Sequence, residues 1–336
     1  MRRHLLFTAA TCCALAWAGA AQAGTVSVSG DDVTFAAAST EVNRVVVAFE
    51  ADPVRGVRVV DLGATLTAGA GCSSAGAHEA FCPTPNTGKI LLTLDDEDDW
   101  ANTAALPDGL AVRLEGGDGE DTLDSGANRN AVQDGGPGAD SLSGEGATID
   151  YSARTDPLTV TTWDGVANDG EAGEGDNVDR VHGVLGGHAA DSVTVNRSFM
   201  FLSGGAGNDE LIDFSDGGTV LVGGPGSDFL RAVSADSDLH GGDGNDTLIA
   251  GNDSQTLDGG AGKDLLRAGP GADRLTGGDG ADELIGGQAK DQMRGGPGND
   301  TLRSRDTSKD LVYGNAGTDR AHVDERDILA SIEEVF

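Results

Sequence analysis

Gly204-Gly205-Ala206-Gly207-Asn208-Asp209-Glu210-Leu211-Ile212 is a phrase the chain keeps repeating. It returns as Gly223-Gly224-Pro225-Gly226-Ser227-Asp228-Phe229-Leu230-Arg231, and further clean copies open at Gly241, Gly259, Gly277 and Gly295. Each reads Gly-Gly-x-Gly-x-Asp-x-apolar-x. Self-similarity at a short fixed period marks a solenoid, in which each repeat buries its apolar face only against its neighbours. A flexible Gly/Asp-rich linker has no reason to place an apolar residue two positions after every Asp. A collagen-like reading fails because Gly does not recur at every third residue.

The clean copies step by 18 or 19 residues, twice the length of the phrase. The nonamers between them are mostly worn. Two keep the motif: Ala268-Gly269-Pro270-Gly271-Ala272-Asp273 and Gly286-Gly287-Gln288-Ala289-Lys290-Asp291. Two nonamers therefore make one coil of turn, strand, turn, strand. Motifs one coil apart then stack on the same side at the strand spacing of ~4.8 Å. This predicts one edge with a continuous row of good turns. The opposite edge is degenerate except around Asp273 and Asp291. The apolar eighth position, Leu211, Leu230, Leu248, Leu266, Leu284 and Leu302, faces inward, with Leu239, Leu257, Leu275 and Met293 coming from the other side. One such residue per nonamer makes a thin core.

The frame extends beyond the clean block. Gly116-Gly117-Asp118-Gly119-Glu120-Asp121 and Gly135-Gly136-Pro137-Gly138-Ala139-Asp140 precede it. Gly186-Gly187-His188-Ala189-Ala190-Asp191 restarts it, and Gly314-Asn315-Ala316-Gly317-Thr318-Asp319 is a last near-copy. Residues 144–185 interrupt the repeats with Asp150-Tyr151-Ser152-Ala153-Arg154 and an acidic loop from Asp164 to Asp179. Val160 and Trp163 suggest strands before that loop, and Val178, Val181 and Val184 after it. The sequence assigns this insert no role. Its loop lacks EF-hand spacing, since Val166 stands where the third ligand belongs. Leu94-Asp95-Asp96-Glu97-Asp98-Asp99-Trp100-Ala101-Asn102 reads either as a degenerate repeat without glycines, its acid cluster able to bind a cation, or as a solvated acidic turn, and it is left out of the ligand set.

The repeated residues suit a hard cation. Calcium takes six to eight oxygens at about 2.3–2.6 Å, more than one turn can offer. Glycine permits positive φ and lets carbonyl oxygens point inward. The sixth-position Asp adds a carboxylate, and two stacked turns can complete a shell. Over roughly 116–322 the chain resembles the RTX, or haemolysin-type, calcium-binding repeat proteins. That resemblance implies an all-β, right-handed parallel β-roll with Ca2+ held between coils, and Asp209, Asp228, Asp246, Asp264, Asp282 and Asp300 as principal ligands. Asp121, Asp140, Asp191, Asp273, Asp291 and Asp319 occupy the same position in the other copies. The turn glycines are Gly204 and Gly207, Gly223 and Gly226, Gly241 and Gly244, Gly259 and Gly262, Gly277 and Gly280, and Gly295 and Gly298.

Composition agrees with this reading. The 336 residues carry 53 Gly, 4% aromatic residues and a net charge of −34, which is too little apolar bulk for a thick core. Such acidity disfavours nucleic acid and attracts cations. Arg2 and Arg3, a short apolar run and Ala21-Gln22-Ala23 read as a secretory leader over 1–23. The apolar run is shorter than a membrane span needs. Beyond the leader, Cys72 and Cys82 are the only cysteines, and an even number in an exported chain favours one disulfide. A metal-binding pair would lack Cys or His partners nearby. Residues 24–113 alternate in short apolar runs and read as a small β cap containing that disulfide. First repeats follow over 114–143, the main roll over 186–322, and a C-terminal cap over 323–336. No Gly-x-Ser-x-Gly, His-Glu-x-x-His or phosphate-binding loop occurs, and the histidines are scattered. The expectation is a secreted, non-enzymatic calcium-binding roll. The alternatives are a toxin or hydrolase with chemistry in 24–113 or the insert, and a cell-surface adhesin or matrix protein. The sequence names no protein partner.

Overall fold

A computed structural model describes residues 24–50, 56–83, 88–196, 200–233 and 236–336. The leader expected over 1–23 lies outside them. Among the described residues there is no helix. Two positions after each motif Asp, an apolar side chain turns inward from a strand of three or four residues. Its neighbours on either side stay half-exposed or exposed, the period-2 pattern of a strand with one buried face. Strands one coil apart pair in parallel, so like stacks on like. Leu211, Leu230, Leu248, Leu266, Leu284 and Leu302 form one continuous column. Leu221, Leu239, Leu257, Leu275, Met293 and Val312 form the facing column. All of these side chains are fully buried. The chain is thus an all-β parallel solenoid, in the register that the repeat spacing predicts.

One face is a single sixteen-stranded sheet, whereas the other is divided into sheets of eight and eleven strands. The division lies at the insert. On the continuous face Thr148–Asp150 pairs directly with Gly183–Leu185. On the divided face Asn177–Asp179 stacks on Ser141–Ser143, while Leu158–Thr161 stacks on Ser192–Val195. The insert therefore adds three strands, Leu158–Thr161, Gly170–Glu171 and Asn177–Asp179, to the divided face where the other receives none in between, and the sheet splits there. Strands stand on both sides of the acidic loop as expected, at Val160, Val178 and Val184, whereas Trp163 lies in a turn and Val181 outside any strand.

At the N-terminal end the strands are antiparallel, and Cys72–Cys82 forms a disulfide. Parallel stacking begins inside this segment. Asp32–Ala36 pairs with Ile90–Thr93, which pairs with Val112–Glu115. At the far end the tail adds Ile328–Ala330 to one face and Glu334–Val335 to the other, with the Phe336 ring stacked on His322 at 5.2 Å. Covering the last coil protects a strand edge that would otherwise pair with another chain.

A core this thin makes each leucine count. Leu266→Ala opens a cavity between two parallel neighbours, and cavity-forming truncations of this kind cost roughly 2–5 kcal/mol. The expected outcome is a lower denaturant midpoint for the calcium-saturated protein than for the unsubstituted chain, measured by circular dichroism.

Candidate metal centre

The motif Asp residues are wired into a ladder. The backbone N–H of Asp209 donates to Oδ1 of Asp228 at 2.8 Å, and Asp228 donates in turn to Asp246 at 2.8 Å. The same bond links Asp191 to Asp209, Asp246 to Asp264, Asp264 to Asp282, Asp282 to Asp300 and Asp300 to Asp319. Glu333 closes the row by accepting from the Asp319 N–H at 2.8 Å. One carboxylate oxygen per coil thus ties each turn to its neighbour. The spacing is 18 or 19 residues, the coil length read from the sequence.

The second oxygen has no protein partner. Oδ2 of Asp209, Asp228, Asp246, Asp264, Asp282, Asp300 and Asp319 is buried and unpaired. These residues are at most 3% exposed. A buried carboxylate oxygen without a partner is costly, so the row demands a cation or a proton. The glycines keep that space clear. A Cβ on Gly223 would lie 2.3 Å from Oδ2 of Asp228, and the first glycine of every clean copy, Gly204 to Gly295, faces its own Asp in the same way. Gly226 has φ 157° and approaches the Gly207 carbonyl so closely that a Cβ would meet it at 1.4 Å. Gly244, Gly262, Gly280 and Gly298 each face the previous coil's glycine carbonyl likewise. Every clean copy from Gly204 to Gly295 therefore offers one unpaired carboxylate oxygen beside closely stacked backbone carbonyls. Among the described residues no group of three His, Cys, Asp or Glu side chains gathers as a metal cluster. Here the remaining oxygens would be backbone carbonyls, and calcium accepts these readily.

Burial raises the pKa values of this row, making its carboxyls weaker acids. Asp228 and Asp264 are pushed up to about 7, and Asp209 and Asp300 to about 6, first by desolvation and then by neighbouring carboxylates. Backbone N–H donors to Oδ1 oppose the shift without cancelling it.

Two further stretches repeat the wiring. On the same edge, Asp99 accepts from Asn43, Asp121 from Asp99, and Asp140 from Asp121. On the opposite edge Asp273 accepts from Gln255, Asp291 from Asp273, Asp310 from Asp291, and Asp327 from Asp310. Oδ2 of Asp99, Asp121, Asp140, Asp273, Asp291 and Asp310 is again buried and unpaired. Asp99, Asp310, Asp327 and Glu333 were not singled out from the sequence, because no glycine pair precedes them. The usable signal was the shorter phrase Asp-x-apolar at coil spacing, as in Asp99-Trp100-Ala101 and Asp310-Leu311-Val312.

At the insert the oxygens are satisfied from within. Asp176, from the acidic loop, accepts the Asp140 N–H on Oδ1 and the Tyr151 hydroxyl on Oδ2 at 2.7 Å. Burial, then the Asp176 charge, keeps the Tyr151 phenol protonated and able to donate. The Arg154 guanidinium donates to the Gly136 carbonyl and pairs with Glu174 at 3.1 Å. Asp191 takes the Leu158 N–H on Oδ1 and the Gly187 N–H on Oδ2, at 2.9 and 2.7 Å. Asp191 therefore joins the ladder but lacks the free oxygen of its successors. The insert ends one row with an arginine and a tyrosine and starts the next with a backbone amide.

The model of the RTX calcium-binding nonapeptide repeat matches residues 111–132, 231–266, 240–275 and 267–302. No curated protein matches the chain. The matched stretches include Asp121 of the first row and Asp246, Asp264, Asp282 and Asp300 of the main row, together with Asp273 and Asp291 opposite. The hydrogen-bonded ladder joins Asp209 and Asp228 to these same turns. The chain carries RTX calcium-binding nonapeptide repeats in four matched copies, and they form the wired edges of its β-roll.

Proposed function

We propose that this chain is an exported, non-enzymatic protein whose roll is completed by calcium. The observation carrying this reading is the row of buried Oδ2 atoms without partners. Calcium held beside Asp209, Asp228, Asp246, Asp264, Asp282 and Asp300 neutralises them and ties each coil to the next. A shorter set at Asp273 and Asp291 serves the opposite edge, and Asp121 and Asp140 serve the N-terminal coils. The non-enzymatic reading rests on use: the buried carboxylates serve one per coil in one repeated way. Export is supported by the Cys72–Cys82 disulfide, which suits an oxidising compartment, and by the leader pattern. Extracellular calcium would then drive folding after export.

Two substitutions test the ligand assignment. Asp246→Asn keeps the Oδ1 acceptor and replaces the free oxygen with an amide. We expect fewer bound calcium ions by calorimetry and a calcium midpoint raised about tenfold, since ligand charge sets affinity over decades. Asp191→Asn should leave the number of bound ions unchanged, because its second oxygen is already bonded to the Gly187 N–H, and its cost should fall on stability instead. Equal effects from the two variants would sink the assignment.

A further inference from the structure

The turn Leu94-Asp95-Asp96-Glu97-Asp98-Asp99 contains no glycine and lies outside the matched repeats. Its geometry is nevertheless that of a repeat turn. Asp95 and Glu97 have φ of 83° and 80°, the positive values that Gly117 and Gly119 carry one coil later. Asp can enter that region more readily than most side chains, whereas Glu97 does so at a cost in strain. Asp96 bridges to Asp118 in parallel. A Cβ on Gly117 would lie 1.6 Å from the Asp95 carbonyl, and one on Gly119 would lie 2.1 Å from the Glu97 carbonyl. Gly136 and Gly138 meet the Gly117 and Gly119 carbonyls in the same fashion. Even the fifth position is reproduced. Asp98 accepts from the Glu120 N–H at 2.9 Å, as Asn208 accepts from Ser227.

The turn also has what points to a ligand. Asp99 is 2% exposed and Asp121 1%, and Oδ2 of each is buried without a partner. Above them both carboxylate oxygens of Glu41, Oδ1 of Asn43 and Oδ2 of Asp61 are buried and unpaired as well. An open groove of about 520 Å³, lined by Asp95, Asp96, Glu115, Asp118 and Asp134, runs beside the turn.

We propose that this glycine-free turn is a divalent-cation site of its own, filled at lower calcium than the glycine-rich rows. The cation sits between the turns 94–99 and 116–121, with the Asp99 and Asp121 carboxylates and the Asp95 and Glu97 carbonyls as donors. This deepens the calcium reading given above and rests on it. The order of filling follows from charge. A glycine-rich turn presents one or two carboxylates, whereas this turn carries five consecutive acids, of which Asp99 is buried at the site and the others raise the negative field around it; ligand charge tunes calcium affinity. The opposing groove focuses the same field. The turn adjoins the disulfide-closed cap, so its cation fastens the first coils on which later coils stack.

Trp100 follows Asp99 directly, and Trp163 is the other tryptophan of the described residues. In the full chain carrying Trp17→Phe and Trp163→Phe, terbium excited through Trp100 reports on this turn. The expected result is sensitised emission that saturates before the far-UV transition of the roll and is displaced by calcium. Asp99→Asn should abolish that emission while leaving calcium binding by the Asp246 row intact. Glu97→Gln, on an exposed side chain, should move the terbium midpoint to higher concentration without altering the fold. Emission unaffected by either substitution, or emission that rises only with the roll transition, overturns the proposal. Loss of calcium binding in Asp246→Asn together with unaffected Trp100 emission in Asp99→Asn would refute this site alone. Absence of any calcium effect on the unsubstituted chain would refute the general reading instead.

Discussion

Chelating calcium at pH 8 is expected to abolish most of the far-UV β signal, and adding calcium back should restore it in a cooperative transition. The physical reason lies in the ladder. Without a cation, each coil of the main row holds an ionised, buried Oδ2 with no partner, and the next coil presents another a single strand spacing away. The apolar core cannot outweigh this, since it offers one buried leucine per strand. Each ion bound at a hundredfold excess over its dissociation constant adds about 2.7 kcal/mol to the folded state, so a row of several changes the balance outright. In a solenoid, where stability is a sum over neighbouring coils, loss of the ions should propagate along the stack. The region around Tyr151, Arg154 and Asp191 should be the last to lose hydrogen-exchange protection, because its carboxylates are satisfied by protein groups. A chain that keeps its full β signal in excess chelator would refute the argument.

Acid is expected to replace calcium. Burial raises the folded-state values of Asp228, Asp264 and Asp99 to about 7, and those of Asp140 and Asp291 to about 8. The ordinary value for an unfolded Asp is about 3.9. The metal-free folded chain therefore binds protons more tightly than the unfolded chain. Its stability is fully present below about pH 4 and is lost as pH rises through the folded values, between about 6 and 8. Lowering the pH of chelated protein from 8 to 5 should recover β structure, because a protonated Oδ2 becomes a donor facing nearby carbonyls. Calcium requires the ionised form, so its affinity should fall over the same interval, and binding should release protons measurable in weakly buffered solution. Metal-free protein equally unfolded at both pH values would remove the ladder carboxylates from the account.

These expectations depend on two kinds of information. The phrase beginning at Gly204 was sufficient for the coil length, the two leucine columns, the main row and the short opposite row at Asp273 and Asp291. A repeat has the same environment at every coil, so a local pattern in sequence becomes a global register in space. The reading undercounted where that locality broke down. Asp310 and Asp327 extend the opposite row without glycines, since only the bond from the preceding coil's N–H to Oδ1 is needed for membership.

Tertiary structure alone decided the rest. Whether Leu94 to Asp99 is a turn of the roll or a solvated loop depended on positive φ at Asp95 and Glu97 and on contact with Gly117 and Gly119. Whether the insert interrupts the carboxylate rows or continues them depended on side chains meeting across long separations. Tyr151 reaches Asp176, and Arg154 reaches Gly136. Asp191 holds the same sixth position as Asp209, in a copy with Ala189 in place of the fourth-position glycine, yet its Oδ2 is already bonded where that of Asp209 is free. The sequence by itself determined which residues can stack, because period and polarity are local properties. Which of the stacked carboxylates keeps an oxygen free was decided by the coil on either side, and no residue carries that information alone.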